Sequence, residues 1–337
     1  MSNSNDSTLY ILGNGFDCCH KLNTETKDFL QILESKEIYN ETETARTVFE
    51  RYGILWGNYE SDLADIDLQL IADEQIIEPD YLSDHEYDRD GGIHNMQQYT
   101  KSLHNAVQES LKEMVSKAND QLEFTNPKFI NFLKAGDAVI SFNYTSTLEK
   151  MYDIPSNVQI CHIHGFYEKG DKLLFGFQKG ISEEEYNNKY FDTDAIEIVQ
   201  KKINEIQNNE NLSKDEKNNE LLYWNSYYEN LIGDREYYVD EQLKTVFDFY
   251  QSLKKEIQLE KLSDFLDLCK KIKRIVVIGH SMNFVDGDYM ELIDKKICPI
   301  EWKISQYENS PSRNDIKNYS FANKICFFNL DGGYLIK

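Results

Sequence analysis

Seven short runs of aliphatic, β-branched and aromatic residues interrupt an otherwise polar chain, at 9–12, 138–142, 158–163, 172–177, 275–278, 300–304 and 325–330. Each is continuous rather than alternating, which predicts strands buried on both faces, as in a parallel sheet covered by helices. The first, second, third and fifth runs stop at a Gly or Asn cluster. In open α/β sheets that strand end is where ligands bind. Longer stretches between the runs carry helical spacing. One covers 24–134, with Phe29, Leu30 and Leu33 and later Val107, Leu111, Met114 and Val115; the other covers 183–271, where Phe247, Tyr250, Leu253 and Ile257 form a stripe. The acidic stretch 78–90, closed by Gly91 and Gly92, reads as a loop, and the charged run 201–220 as a solvated helical pair. The expected fold is α/β: one Rossmann-like parallel sheet covered by helices, a single domain over 1–337 with helical insertions at about 36–134 and 183–271. No internal repeat stands out.

Composition changes this picture mainly in what it excludes. With 337 residues, 40% of them apolar, and 22 Tyr and 18 Phe, the chain can bury a sizeable core. Its net charge of −23, from 59 acidic against 36 basic residues, disfavours broad attachment to a nucleic-acid backbone or an anionic membrane. A small anionic ligand stays open, because backbone N–H groups bind phosphate without Lys or Arg. An acidic surface that mimics nucleic acid and draws a basic partner is the alternative to simple solubility. Cys18, Cys19, Cys161, Cys269, Cys298 and Cys326 include no Cys-x-x-Cys pair, which argues against a zinc ribbon. The polar start and the lack of a long apolar run imply neither signal peptide nor membrane span, so free thiols in a reducing cytoplasm are expected.

Four segments carry candidate chemistry. In Leu12-Gly13-Asn14-Gly15-Phe16-Asp17 a strand enters a Gly-x-Gly turn, the opening of a dinucleotide-binding corner. Gly13 allows the tight turn and Gly15 lets a pyrophosphate approach, while Cys18 stands at the usual third glycine; a plain strand–turn–helix corner, with Asp17 as a cap, is the other reading. Phe142-Asn143-Tyr144-Thr145 brings an amide to a strand end, suited to a ribose hydroxyl or a water, or alternatively to an Asx-turn or N-cap before a helix at 146–151. In Cys161-His162-Ile163-His164-Gly165, strand alternation puts both imidazoles on one face, and His164, at the terminus, is the candidate base. Core histidines or a metal pair are the alternatives, but no carboxylate cluster lies nearby in sequence and no metal is expected. Finally, Gly279-His280-Ser281 with Asp286 offers a hydroxyl and backbone amides, for phosphate or ribose or for an N-cap.

Taken together and in this order, these segments resemble the AbiH family of bacterial phage abortive-infection proteins. The residues that carry the likeness are Gly13-Asn14-Gly15-Phe16-Asp17, Phe142-Asn143-Tyr144-Thr145 through Glu149, His162-Ile163-His164-Gly165, and Gly279-His280-Ser281 with Asp286. That family is similar in turn to the sirtuin-like NAD-binding fold. The resemblance implies a sirtuin-like α/β domain in which Gly13 and Gly15 hold phosphates, with Asn14, Phe16 and Asp17 in the same cofactor-binding turn. It further implies that Asn143 serves ribose and water, that His164 is the base, and that Gly279 and Ser281 meet the adenosine half, with His280 and Asp286 also cofactor-binding. The four zinc cysteines of sirtuins are missing, as is the Asp two positions after the Asn, which argues against protein deacylation. The implied activity is NAD glycohydrolysis in phage defence. The alternative is a non-catalytic nucleotide sensor or scaffold that controls a partner effector; a nuclease has less support, since Asp286 with Asp288 alone makes no metal motif. A homo-oligomer, or a phage-derived trigger or partner protein, is expected beside the nucleotide.

Overall fold

The computed structural model describes residues 7–57, 59–80, 82–129, 132–190, 193–209, 212–233, 237–269, 271–306 and 316–329. Among these, six strands form one all-parallel sheet: β1 (Thr8–Leu12), β2 (Ala138–Ser141), β3 (Gln159–His162), β4 (Arg274–Ile278), β5 (Glu301–Gln306) and β6 (Ile325–Asn329). Their order is β3-β2-β1-β4-β5-β6. The chain therefore winds outward from β1 in one direction, returns, and winds outward from β4 in the other. The reversal falls between β1 and β4, where Leu12 lies opposite Ile278. In doubly wound sheets a crevice opens at that point, outside the carboxyl ends of the strands.

Thirteen helices are numbered in chain order. Before β2 come α1 (Asn14–Cys19), α2 (Thr26–Leu33), α3 (Ala45–Arg51), α4 (Tyr59–Asp62), α5 (Leu68–Gln75) and α6 (Tyr87–Gln121). Between β2 and β3 lies α7 (Thr147–Met151); α8 (Glu183–Tyr190), α9 (Thr193–Asn208), α10 (Lys214–Gly233), α11 (Tyr237–Ser252) and α12 (Leu259–Leu268) precede β4, and α13 (Gly287–Ile297) follows it.

The strands are apolar throughout because both faces are covered. Leu9, Ile11, Ile140, Ile275 and Val277 pack with Leu262, Phe265 and Ile293 of α12 and α13. Alternate residues Tyr10, Leu12, Val139, Val276 and Ile278 pack on the other face with Phe16, Phe129 and Phe132. A third core lies apart from the sheet, between the helices of the two long connections. Side chains of α2, α3, α5 and α6 from the first long connection interdigitate with Val246, Phe247 and Tyr250 of α11 from the second. The two insertions thus build one shared helical layer. Their limits differ from the expected ones: α2 joins that layer before residue 36, while Phe129, Phe132 and α12, within the expected insertions, cover the sheet.

Two expectations fail for physical reasons. The run 172–177 is not a strand of the sheet. It is an extended link, joined to the rest by single contacts: Leu174 N–H donates to the His164 carbonyl at 2.9 Å, and Phe177 bridges Lys254. Its apolar side chains, Leu173, Phe175 and Phe177, fill the helical core instead. Gly91 and Gly92 do not end a loop but lie buried inside α6. A Cβ on Gly92 would stand 2.8 Å from Gln242 Nε2. That amide, fully buried, accepts from Ile77 N–H and donates to Ile77 O, each at 3.0 Å. Close helix contact offsets the helix penalty of glycine, about 1 kcal/mol. Residue 330 of the last run lies outside the described residues. No described helix is long and apolar enough to cross a membrane.

Candidate functional site

The reversal point is built from backbone meeting backbone. Gly13 N–H donates to Ile278 O at 3.0 Å, Gly15 N–H to Gly279 O at 2.7 Å, and Phe16 N–H back to Gly13 O at 2.8 Å. A Cβ on Gly13 would stand 2.5 Å from the His280 Cα, and one on Gly15 2.6 Å from the Gly279 Cα. The bare Cα atoms of both glycines therefore face the neighbouring loop, not an open space kept for pyrophosphate. What the turn leaves for a ligand is different. The N–H groups of Asn14, His280 and Ser281, on residues that line the cavity, have no hydrogen-bond partner among the described residues.

That cavity has a volume of about 1220 Å³. It runs from Gln306 and Asn329, at the ends of β5 and β6, across the reversal point to Thr24 and Glu60 at the helical layer. Gly13, Asn14, Gly15, Asp17, Asn143, His164, Gly279, His280, Ser281 and Asp286 all line it. Phe16 does not. Its ring is buried among Phe129, Phe132 and Tyr152, because the first helical turn directs it onto the sheet.

His164 follows the end of β3, whose last residue is His162. The strand alternation that would align the two imidazoles stops there, and their surroundings diverge. His162 stacks on Phe166 and pairs with Glu149 Oε1 at 2.8 Å, away from the cavity. His164 instead directs Nε2 to within 3.4 Å of Asp286 Oδ1. At that length no good hydrogen bond forms, and the buried nitrogen is left unsatisfied. Asp286 also takes Lys255 Nζ at 3.2 Å on the same oxygen and faces His280 Nε2 at 3.4 Å on the other. Met282 N–H donates to His280 Nδ1 at 2.9 Å, which makes that nitrogen an acceptor and puts the proton on Nε2, towards Asp286. Lys255 closes the network on Glu60 Oε2 at 3.1 Å.

The charges in this network follow from their partners. Burial holds the His164 imidazole below its usual pKa, and the Lys255 charge pushes the same way, against the raising effect of Asp286 and Glu60. Burial alone would raise Asp286, but the Lys255 charge first, and then the two imidazoles that face the carboxylate, outweigh it and hold the carboxyl well below its ordinary range. Likewise burial works against the Lys255 charge, yet Glu60 and Asp286 carry its pKa up to about 12. Asp286 is the N-cap of α13 by position but makes no side-chain cap bond. Its carboxylate is turned into the site instead. Ser281 is no cap either; its Oγ accepts from Asn283 N–H at 3.3 Å.

A second polar centre lies across the cavity. Asp17 accepts from Thr145 Oγ1 at 2.8 Å and Thr147 Oγ1 at 2.6 Å, far from its own helix in sequence, so it is not a local cap. Burial raises its pKa to about 6, with Thr147, Thr145 and the Asn143 side chain acting in opposition. Asn143 does not cap α7, whose N-cap is Ser146. Because the folded pKa of Asp17 exceeds its unfolded value, this group stabilises the fold most at low pH and that contribution is lost as pH rises through about 6. Asp17→Asn, neutral at every pH, is expected to flatten the pH dependence of urea unfolding between pH 4 and 6 relative to wild type, by up to about 3 kcal/mol. An identical profile in the two proteins would refute the assignment.

Glu60 and Lys255 escaped the sequence reading. Both sit in charge-rich segments with no motif, and only the packing of the two insertions brings them to Asp286. Thr145 lay inside a segment already singled out, but nothing local marks it as a partner of Asp17. Among the described residues no group of three or more His, Cys, Asp or Glu side chains is arranged to hold a metal ion. All six cysteines are free thiols.

Comparison with known proteins gives one match. The model of the family described as bacteriophage abortive infection AbiH matches residues 9–306. No curated protein and no solved structure matches.

Proposed function

The chain belongs to the AbiH family of bacteriophage abortive-infection proteins, and from that premise we propose that its cavity binds NAD as a substrate and hydrolyses the nicotinamide–ribose bond. The observation that carries this reading is an imidazole with a depressed pKa, His164, lining a cavity at the reversal of a doubly wound sheet, opposite Asn143. The β3-β2-β1-β4-β5-β6 order is the dinucleotide-binding arrangement and supports a sirtuin-like fold. The volume supports a large ligand, since small-molecule pockets usually span about 300–1,000 Å³. The amides of Asn14, His280 and Ser281 supply donors for phosphate oxygens in a lining that, among the described residues, holds no Lys or Arg.

In the reaction the C1′–N bond breaks, a water oxygen bonds to C1′, and nicotinamide leaves with the bond's electron pair. His164, neutral near pH 7, accepts the proton from that water or from a ribose hydroxyl. Asn143 offers both a donor and an acceptor to hold the ribose or the water. The Asp17 carboxylate, fixed by Thr145 and Thr147, faces the positive charge that develops on the sugar. Asn143→Ala is expected to slow NAD consumption by about 100-fold. Mass spectrometry of nucleotide released from denatured protein should recover NAD or ADP-ribose. Recovery of a nucleotide that is neither NAD nor ADP-ribose, with NAD consumption untouched by Asn143→Ala, would overturn the reading.

A second reading, a nucleotide sensor that controls a partner, draws on the α9–α10 hairpin. These helices pack mainly on each other and expose Ile198, Leu222 and Tyr223. A phage-derived trigger or a second copy of the chain would dock there. In that case ligand is recovered unchanged, and His164→Ala spares defence.

A further inference from the structure

The second insertion ends in a lysine that has no reason, on composition, to be inside the protein. Lys255 follows α11, yet its side chain is fully buried, with Nζ 3.1 Å from Glu60 Oε2 and 3.2 Å from Asp286 Oδ1. Backbone geometry holds it there. Lys255 N–H donates to Phe177 O at 2.7 Å. Gly176, at φ +131°, approaches so closely that a Cβ would stand 1.8 Å from the Leu253 carbonyl oxygen. Two residues earlier, Leu174 N–H is bound to the His164 carbonyl. One continuous run of contacts therefore joins the exit of the helical insertion to the strand end that carries the imidazole.

We propose that Lys255 is a positioning residue: its ammonium competes with His164 for Asp286, keeping that carboxylate from capturing a proton on the imidazole and so keeping His164 free to accept one. This rests on the reading of His164 as the base. The shared oxygen is the physical ground. Asp286 Oδ1 is 3.2 Å from Lys255 Nζ but 3.4 Å from His164 Nε2, which makes no hydrogen bond. A buried carboxylate that lost its lysine would satisfy itself on the nearest available proton carrier, and two imidazoles face it. The groups around His164 are Asp286, Lys255 and Glu60, with His280 across the carboxylate and the Tyr144 and Tyr289 rings beside it. Among the described residues, none of these but Lys255 supplies a fixed positive charge. The depressed pKa of His164, to which the Lys255 charge contributes, agrees with this.

The test follows the His164 ring by NMR across pH in the full chain, identified by its loss in His164→Ala. Lys255→Met is paired with Glu60→Gln, so that only Asp286 is left without its cation. The His164 titration is expected to move upward by about one pH unit or more, with the acid limb of NAD turnover moving alike, which is about a tenfold loss of neutral imidazole on that limb. Lys255→Arg, which keeps the charge, is expected to restore the wild-type titration. An unmoved His164 titration in the folded double variant overturns the proposal. If that variant does not fold, Lys255→Gln alone, which removes the charge but keeps a hydrogen-bond donor beside Asp286, decides by the same measurement. Absence of NAD turnover in all these proteins would remove the glycohydrolase reading, yet the ring titration would still decide the role of Lys255.

Discussion

Replacing His164 by alanine is expected to lower NAD turnover by about 10²–10⁴-fold while changing NAD affinity little. The magnitude is that of a lost general base. The asymmetry follows from where the contacts lie. His164 is 4% exposed, with its imidazole beside the Phe142 and Tyr289 rings and near Asp286. The amides proposed to bind phosphate belong to Asn14, His280 and Ser281, on segments that the substitution does not alter. A change confined to kcat, with the dissociation constant held, is the signature of a group used in the transition state. Calorimetric titration beside single-turnover kinetics separates the two. The wild-type pH profile carries a related expectation. The base works when neutral and its pKa is depressed by burial, so turnover should persist below the usual imidazole range before it falls. Full turnover in His164→Ala would mean that another group takes the proton.

A large loss of stability is expected from Gly279→Ala. Its φ of +65° lies in the left-handed region, and its Cβ would stand 2.2 Å from Phe16 N and 2.3 Å from the Gly15 carbonyl carbon. Those are backbone atoms of the β1–α1 turn and cannot swing aside. Backbone strain of about 1–3 kcal/mol adds to overpacking of similar size, for a total of about 2–5 kcal/mol. Gly170 provides the comparison. It has φ +71° with nothing within 4 Å of its Cβ position, so alanine there costs only the conformational part, about 1 kcal/mol. Urea unfolding of the two variants distinguishes crowding from strain. Equal losses would show that the approach of the two loops does not restrict position 279.

What the sequence made legible depended on how local the cause was. The strands could be read because burial on two faces demands an unbroken apolar run, and β1, β2 and β4 each show one. The glycine turns could be read as corners, but not for the reason that matters in three dimensions. Gly13 and Gly15 are bare because Gly279 and His280 press on them, and that neighbour lies more than 250 residues away in the chain. The run 172–177 has the composition of a strand, yet its side chains serve the helical core, a destination that periodicity does not encode. Gly91 and Gly92 suggest a break by propensity, and the contact with Gln242 overrides it. Alternation put His162 and His164 on one face, with His164 singled out only by its place at the terminus; the strand ends at His162, and the two surroundings diverge. Lys255 was invisible. In a stretch of lysines and glutamates a buried cation looks like its solvated neighbours, and its burial is decided by Glu60 and Asp286, 195 and 31 residues distant. The family resemblance located the residues that face the cavity; packing alone supplied those that set their charge.

We propose that this cavity turns over NAD. Purified wild-type protein should be incubated with NAD, both at rest and with lysate of phage-infected cells, and nicotinamide and ADP-ribose measured against time. Release of the two products in equal amounts is expected, slowed at least about 100-fold by His164→Ala. If NAD stays intact in every condition, the cavity is not a glycohydrolase site.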